Sequence, residues 1–346
     1  MKQLQVALAA IAVVTVGYLV HAQQNGQTAP APVPAGLPEW AYAPPPPPAP
    51  GAQPARPARR PPDDGTLKHV PGSHVALTMT QIRGVPEIPD WHPEDHGPMP
   101  DIVRAGKQGV LACGFCHLAN GRGRPENAGP AGLPAGYFIQ QMEDFKNGLR
   151  KSSDPRKTNT NLMIGYAKVM TDAELKASAE YFASNSFPQW IKVKETKTVP
   201  KTRLAGGMYL PLEGSEAGEE PIGNRIVEVP EYPDRTEVRD SHAGFIAYVP
   251  AGSIKKGEAL AAKGQCMVCH GPNLGGIGPV PPIGGRSPSY VARQLFDMQT
   301  GARHGLWADL MKKAVGTLTG DDMVNISAYV ASRAPGGAVA RQTGSR

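Results

Sequence analysis

The sequence predicts an all-α protein of two tandem helical domains, joined by a long, partly β connector and preceded by a proline-rich tether. Three observations carry this expectation. Two stretches of the form Cys-x-x-Cys-His, Cys113–His117 and Cys266–His270, stand in the two halves of the 346-residue chain. The residues after them recur at matching spacings, so the chain holds an internal repeat. Gly (40) and Pro (37) are abundant while aromatics make up only 6%, a lean supply for an ordinary core of this length.

Residues 1–22 open on Lys2, run through apolar residues from Val6 to Val20 and close on Val20-His21-Ala22, the form of a secretory signal peptide. The run is 15 residues long, whereas a bilayer span needs about 20, so an uncleaved membrane anchor is the lesser alternative. Residues 23–66 are rich in Ala, Pro, Gln and Gly and include Pro44 to Pro48 in unbroken succession. They are expected to form a disordered, extended linker. Residues 67–99 hold His69, His74, His92 and His96 in a Pro-punctuated segment, expected to wrap irregularly around the first domain. A metal site or a distal ligand is the alternative there. The first helical domain is placed at 100–186, the connector at 187–252, the second domain at 253–335 and a flexible tail at 336–346.

Each domain is expected to read helix, Cys motif, Gly/Pro-rich loop, helix, methionine loop, helix. The opening helices are placed at Asp101–Ala112 and, behind a Ser253 cap, at Ile254–Lys263. Tyr137 and Tyr290 each stand 20 residues after the motif histidine and lead helices that stop at Gly148 and Gly301. The copies then differ by a polar insertion of five residues after Arg150 and return to register at Met163 and Met311, each eight residues before a threonine. Thr171 with Glu174, and Thr319 with Asp322, have the spacing of capping boxes for the closing helices at Leu175–Ser184 and Met323–Ser332. In the connector, Trp190–Lys194, Arg225–Val229 and Gly244–Val249 are β-prone.

Cys-x-x-Cys-His is the attachment signature of a c-type haem. Two thiols on one tight turn can add to the two vinyl groups of one haem, and the adjacent imidazole then reaches the iron. The chain has four cysteines and the motifs use all of them, so two covalently bound haem c groups are expected, on Cys113, Cys116 and His117 and on Cys266, Cys269 and His270. A zinc knuckle or a dithiol redox pair is the competing reading, but a histidine follows each pair and no second Cys pair closes either site.

The repeat also selects the second axial ligand. Overlaying the copies sets Met142 against Leu295, Phe145 against Met298, Met170 against Leu318 and Leu175 against Met323. Those methionines exchange with other apolar residues, as core fillers do. Met163 and Met311 are methionine in both copies, which marks them as iron ligands beside His117 and His270. His304 is a rival in the second domain, but its counterpart is Lys151. Histidine–methionine ligation raises the potential relative to bis-histidine and leaves no open position, so electron transfer is favoured over catalysis at the iron.

On these residues each half resembles a class I cytochrome c, and the pair resembles the di-haem cytochromes c of the cytochrome c4 type. The second unit matches best, with Gly271 after the motif and Pro281-Pro282-Ile283-Gly284-Gly285-Arg286 in the place of the family's proline loop. The resemblance implies that the Pro281 carbonyl accepts from the His270 imidazole. In the first unit Leu118 replaces that glycine and Ala128-Gly129 replace the prolines, so Pro130, with a shifted loop, is the candidate there. Two pseudo-symmetric domains are also implied.

The net charge of +6 and pI near 9.1 come without a Lys/Arg cluster interleaved with aromatics, which argues against a nucleic-acid partner. A basic docking face for an acidic redox protein is expected instead. The expected role is a periplasmic electron carrier between a dehydrogenase or quinol-oxidising complex and a terminal oxidase or reductase, an electron carrier rather than an enzyme. The alternatives are a di-haem enzyme of the peroxidase or thiosulfate dehydrogenase kind, and the cytochrome subunit of a larger dehydrogenase. Membrane association would come through the N-terminus or a membrane-bound partner.

Overall fold

The computed structural model describes residues 36–38, 40, 41, 62–84, 86–205 and 207–336. The predicted signal peptide, most of the 23–66 linker and the tail beyond residue 336 lie outside the described residues. Helices dominate residues 101–184 and 253–332, and strands fill the interval between them.

The extension carries one short helix, α1 (Met79–Ile82), opened by a capping box between Thr78 and Gln81. Trp91 anchors it: the ring is buried with Val70 and Ile82, and its indole N–H donates to the Val238 carbonyl at 2.8 Å. Helix α2 spans only Asp101–Arg104, shorter than the predicted 101–112. Gly106 and Gly109 take φ of 72° and 80°, and the chain folds back through a Lys107–Val110 pairing that a right-handed helix cannot continue through.

Helices α3 (Cys113–His117), α4 (Ala135–Lys146), α5 (Thr158–Val169) and α6 (Asp172–Ser184) follow. The chain leaves α4 through Gly148 at φ 71°, and α6 opens on the Thr171–Glu174 capping box. Tyr181 and Phe182 of α6 pack on Ile102 and Val103, while Leu175 closes against Met142, Phe145 and Ala167. These contacts wall the space above the first Cys motif.

The connector contains β1 (Ile191–Thr196), β2 (Thr198–Pro200), β3 (Thr202–Ala205), β4 (Met208–Pro211), β5 (Glu219–Pro221), β6 (Val227–Pro230), α7 (Pro233–Glu237) and β7 (Phe245–Pro250). The three β-prone runs form one sheet in the order β1-β7-β6. β1 runs parallel to β7 with Ile191 opposite Phe245, and β6 runs antiparallel to it with Val229 opposite Ile246. A parallel pair needs a long crossover, and residues 197–244 provide it. Alternation along β7 buries Phe245, Ala247 and Val249 on one face. Phe245 and Ala247 pack with Ala131 and Phe187 from the first helical region. Val249 packs with Ala292, Val324 and Ala328 from the second.

Helices α8 (Ser253–Lys263), α9 (Cys266–His270), α10 (Pro288–Thr300), α11 (Leu306–Val315) and α12 (Gly320–Ser332) complete the chain. Ser253 is the first helical residue and not the cap; Gly252 holds the N-cap position at φ 81°. α8 meets α12 at Gly257, where a Cβ would run into the Asn325 carbonyl. α10 ends at Gly301 with φ 80°, and α12 starts at the Thr319–Asp322 capping box. The buried Glu228 of β6 accepts from the Ser289 N–H at 2.7 Å and the Ser287 hydroxyl at 2.8 Å, at a helix start that favours negative charge.

Met163 and Met311, predicted in loops, sit inside α5 and α11. Neither stretch contains a proline, α11 has no glycine, and Gly165 in α5 faces open space, so nothing interrupts the helices.

Candidate haem sites

Each Cys motif is one short helix with its histidine at the last position, and no disulfide joins any of the four cysteines. The His117 Nδ1–H donates to the Ala128 carbonyl at 2.7 Å, and the His270 Nδ1–H donates to the Pro281 carbonyl at 2.9 Å. In both units the acceptor lies 11 residues beyond the histidine, so Ala128 takes the role in the first and Pro130 does not. The loop is unshifted for a backbone reason. Gly123 N–H donates to the His117 carbonyl at 2.9 Å and Gly276 N–H to that of His270 at 2.7 Å, and pairings at Arg124–Asn127 and Ile277–Val280 close the same turn. A carbonyl is common to every residue, so proline is dispensable. Leu118 adopts φ 65°, ψ 160°, close to the 76°, 174° of Gly271; a leucine in that region costs on the order of 1–3 kcal/mol.

Donation from Nδ1 fixes the tautomer and leaves the Nε2 lone pair for a metal. His270 Nε2 is buried and has no hydrogen-bond partner. Burial pushes both histidines below their ordinary pKa against the opposing carbonyl bonds, and Arg150 adds to the lowering at His117. Both imidazoles are therefore held neutral, the form that ligates. Burial pushes the Cys113 thiol up to about 12 and raises those of Cys116 and Cys266.

One cavity of about 360 Å³ is lined from both halves. Cys113, Cys116, His117 and Met163 line it on one side, and Cys269, His270 and Met311 on the other. Cys266 is not among the lining residues; it packs at the edge of the second core, beside the cluster that holds Ala261 and Leu274. Met142, Met170 and Met298 share the wall, whereas His304 does not. The distinction of Met163 and Met311 from the other methionines is thus the repeat's.

The halves meet through a network that sequence reasoning missed as an interface, although its members are the repeat's own markers. Arg150 donates to Gln141 at 3.1 Å, to the Tyr290 hydroxyl at 3.0 Å and to Gln294 at 3.2 Å. Arg303 mirrors it, donating to Gln294 at 2.8 Å, to the Tyr137 hydroxyl at 2.8 Å and to Gln141 at 2.7 Å. Burial pushes the Tyr290 phenol up, but Arg150 and Arg303 hold it below its ordinary value. Arg286, from the proline loop, crosses to the Gly129 and Ala131 carbonyls and stacks over Phe187 at 3.8 Å.

The buried guanidiniums of Arg150 and Arg303 line the cavity, and the side chains they bond are neutral amides and phenols. The buried Asp297 carboxylate lines the same cavity and acts on Arg303, so two guanidiniums face one nearby carboxylate. Such a pair suits further anionic groups, and each haem c brings two propionates. Thiols, an imidazole with an unused Nε2, a thioether and paired guanidiniums fit that cofactor.

The extension's histidines are engaged elsewhere or exposed. His92 Nε2 bonds Asp240 at 3.0 Å with both side chains buried, His96 Nε2 bonds Asp90 at 3.3 Å, and His69 and His74 face solvent. Among the described residues no three His, Cys, Asp or Glu side chains cluster as metal ligands.

Residues 252–330 match the family described as cytochrome c oxidase, cbb3-type, subunit III. The chain is 24% identical over 226 residues to a thiosulfate dehydrogenase electron acceptor from Stutzerimonas stutzeri, covering 64% of this chain and 79% of that one. It is 26% identical over 230 residues to a cytochrome c4 from Pseudomonas aeruginosa, covering 65% and 86%. It is 32% identical over 81 residues to cytochrome c-554(548) from Halomonas halodenitrificans, covering 22% of this chain and 98% of the other. With the two motif helices and their carbonyl-bound histidines, these likenesses establish that the chain belongs to the c-type cytochromes. Within that class it is a di-haem electron-transfer cytochrome, similar to the cytochromes c4 and carrying two haem c groups.

Proposed function

We propose that the chain is a periplasmic two-site electron relay, with His117 and Met163 as one axial pair and His270 and Met311 as the other, in domains spanning 100–186 and 253–335. The haem irons supply a one-electron ferric–ferrous couple when bound. The chain's part would be to hold each imidazole neutral through its carbonyl bond, offer a thioether as the second ligand, and surround both with a mostly apolar wall. The observation that carries the reading is the single cavity lined by both motifs and both methionines, which supports exchange inside the molecule. Its donor is a dehydrogenase or quinol-oxidising complex, and its acceptor a terminal oxidase or reductase; the relative that accepts electrons from thiosulfate dehydrogenase supports the donor class. Export rests on the signal-like residues 1–22, and among the described residues no helix is long and apolar enough to cross a membrane.

Optical and electron paramagnetic resonance spectra of the oxidised holoprotein test this. Two six-coordinate, low-spin irons with thioether ligation are expected, and a high-spin iron would overturn the assignment at that site.

A second reading, a di-haem enzyme of the peroxidase or thiosulfate dehydrogenase kind, draws on one observation. Lys157, brought to about 7 by burial and the nearby Arg293, and Glu126, raised by burial, both line the cavity. They supply an acid and a base there. That reading requires a vacant or displaceable position on the first iron, which the same spectra detect.

A further inference from the structure

The two motifs differ in what covers them. Between Leu111 and Pro130 no residue is exposed, whereas in the equivalent stretch Gln265, Met267, Val268, Cys269, Ile277 and Pro279 all are. The cover over the first motif is built from the extension and the connector. Ile88 packs with Ala112 and Ala119 and lies against Gly114, where a Cβ would strike it. The Arg239 guanidinium sits over the Phe115 ring at 4.3 Å. Arg122 donates to the Ser241 carbonyl at 2.7 Å, and Arg124 to the Thr236 carbonyl at 2.8 Å.

Extension and connector are themselves fastened together. The His92 ring stacks on that of His242 at 3.5 Å, His92 bonds Asp240, and His242 bonds Asp95 at 2.8 Å. Asp95 also accepts from Asn120, just beyond the first motif, at 3.1 Å. The cover is one packed piece.

Around the second motif the surface is open and apolar. Nine large apolar side chains are exposed among the described residues, and Met267, Val268, Ile277, Leu306 and Leu310 are five of them. From the helices of the first domain there is only Val169. Leu310 and Cys269 line the cavity, so this rim borders the second haem site. Exposed Lys263, Lys312 and Lys313 flank it on α8 and α11, against the one exposed carboxylate of α11, Asp309. An apolar centre with an excess of lysines at its edge fits a partner whose contact face is apolar with an acidic margin.

We infer that this rim is the single port through which the chain exchanges electrons with an acidic redox protein, and that the first site is reached through the second. The inference rests on the relay reading above. An encounter oxidises the partner and reduces the second site by one electron, with no atom or proton transferred.

The probe is a reduced plant-type two-iron ferredoxin, a strongly acidic one-electron donor, mixed with the oxidised holoprotein in a stopped-flow instrument at low salt. Val268→Glu and Leu310→Glu should each lower the second-order rate constant about tenfold or more and flatten its salt dependence, while Val169→Glu leaves it unchanged. Calorimetric binding of oxidised ferredoxin to the oxidised chain should weaken in the same two variants only. The inference is overturned if Val169→Glu slows reduction as much as they do, or if they leave rate and binding intact. A concentration-dependent dimer of the chain that Leu310→Glu dissolves would also overturn it, by assigning the rim to a second copy. Failure of the relay reading is separable: a protein that takes up fewer than two electrons, or keeps one iron high-spin, fails as a relay whatever the rim variants do.

Discussion

Arg150 donates to the Tyr290 hydroxyl across the seam between the two helical halves at 3.0 Å, and Arg303 returns the contact to Tyr137 at 2.8 Å. Arg150 is the repeat partner of Arg303, and Tyr137 of Tyr290, so each half supplies what the other needs. Losing one guanidinium strands buried amide and phenol groups at a cost of about 1–3 kcal/mol. Arg150→Ala and Arg303→Ala should each lower the denaturation midpoint of the holoprotein by a comparable amount. The double variant should lose less than the sum, since both act on Gln141 and Gln294.

Met163→Ala should open the first iron alone and Met311→Ala the second alone. Each variant should show one high-spin and one low-spin iron in the oxidised spectrum, with the thioether signature halved. A variant that stays six-coordinate at both irons with an unchanged potential would assign the ligand to another residue, and Met142, Met170 and Met298 share the same wall.

Glycines inside helices separate packing from propensity. Replacing Gly165 with alanine meets nothing within 4 Å and should stabilise α5 by about 0.5–1 kcal/mol. Gly257→Ala gains the same propensity but drives a methyl group into the Asn325 carbonyl, which overpacking estimates put at about 1–3 kcal/mol. The first variant should melt higher than the parent and the second lower, by calorimetry.

The cover over the first motif should loosen with rising pH. Burial disfavours the charged form of His96, but its bonds to Asp90 and the Gly97 carbonyl, with Asp95 nearby, raise it above its ordinary value of 6.5. A raised histidine contributes stability that is complete below the unfolded value and is lost as pH climbs through the folded one. Amide protection over residues 86–99, corrected for intrinsic exchange, should therefore decline above about pH 6.5. Asp90→Asn should flatten that decline.

The fold was legible wherever a local rule operated. Capping boxes at Thr171 and Thr319 and the glycine after each Tyr-led helix mark element ends through short-range hydrogen bonds, and those elements appear where their signals stand. The opening helix of the first half was overextended because a helical pattern was carried through Gly106 and Gly109, whose positive φ reverses the chain. At the site, the His270–Pro281 pairing follows the proline pattern, but Ala128 in the first half was missed because a backbone acceptor leaves no side-chain trace. Long-range pairings were the least visible. Nothing near His92 in sequence announces Asp240, and nothing near Glu228 announces Ser289.

The strand Phe245–Pro250 lays one buried face first on Ala131 and Phe187 and then on Ala292, Val324 and Ala328. A hinge between the halves would have to shear that face from one of its two beds. The connector thus acts as a splint and not a leash, and traffic between the two sites should be indifferent to solvent viscosity, because no tumbling of one half against the other stands in its way.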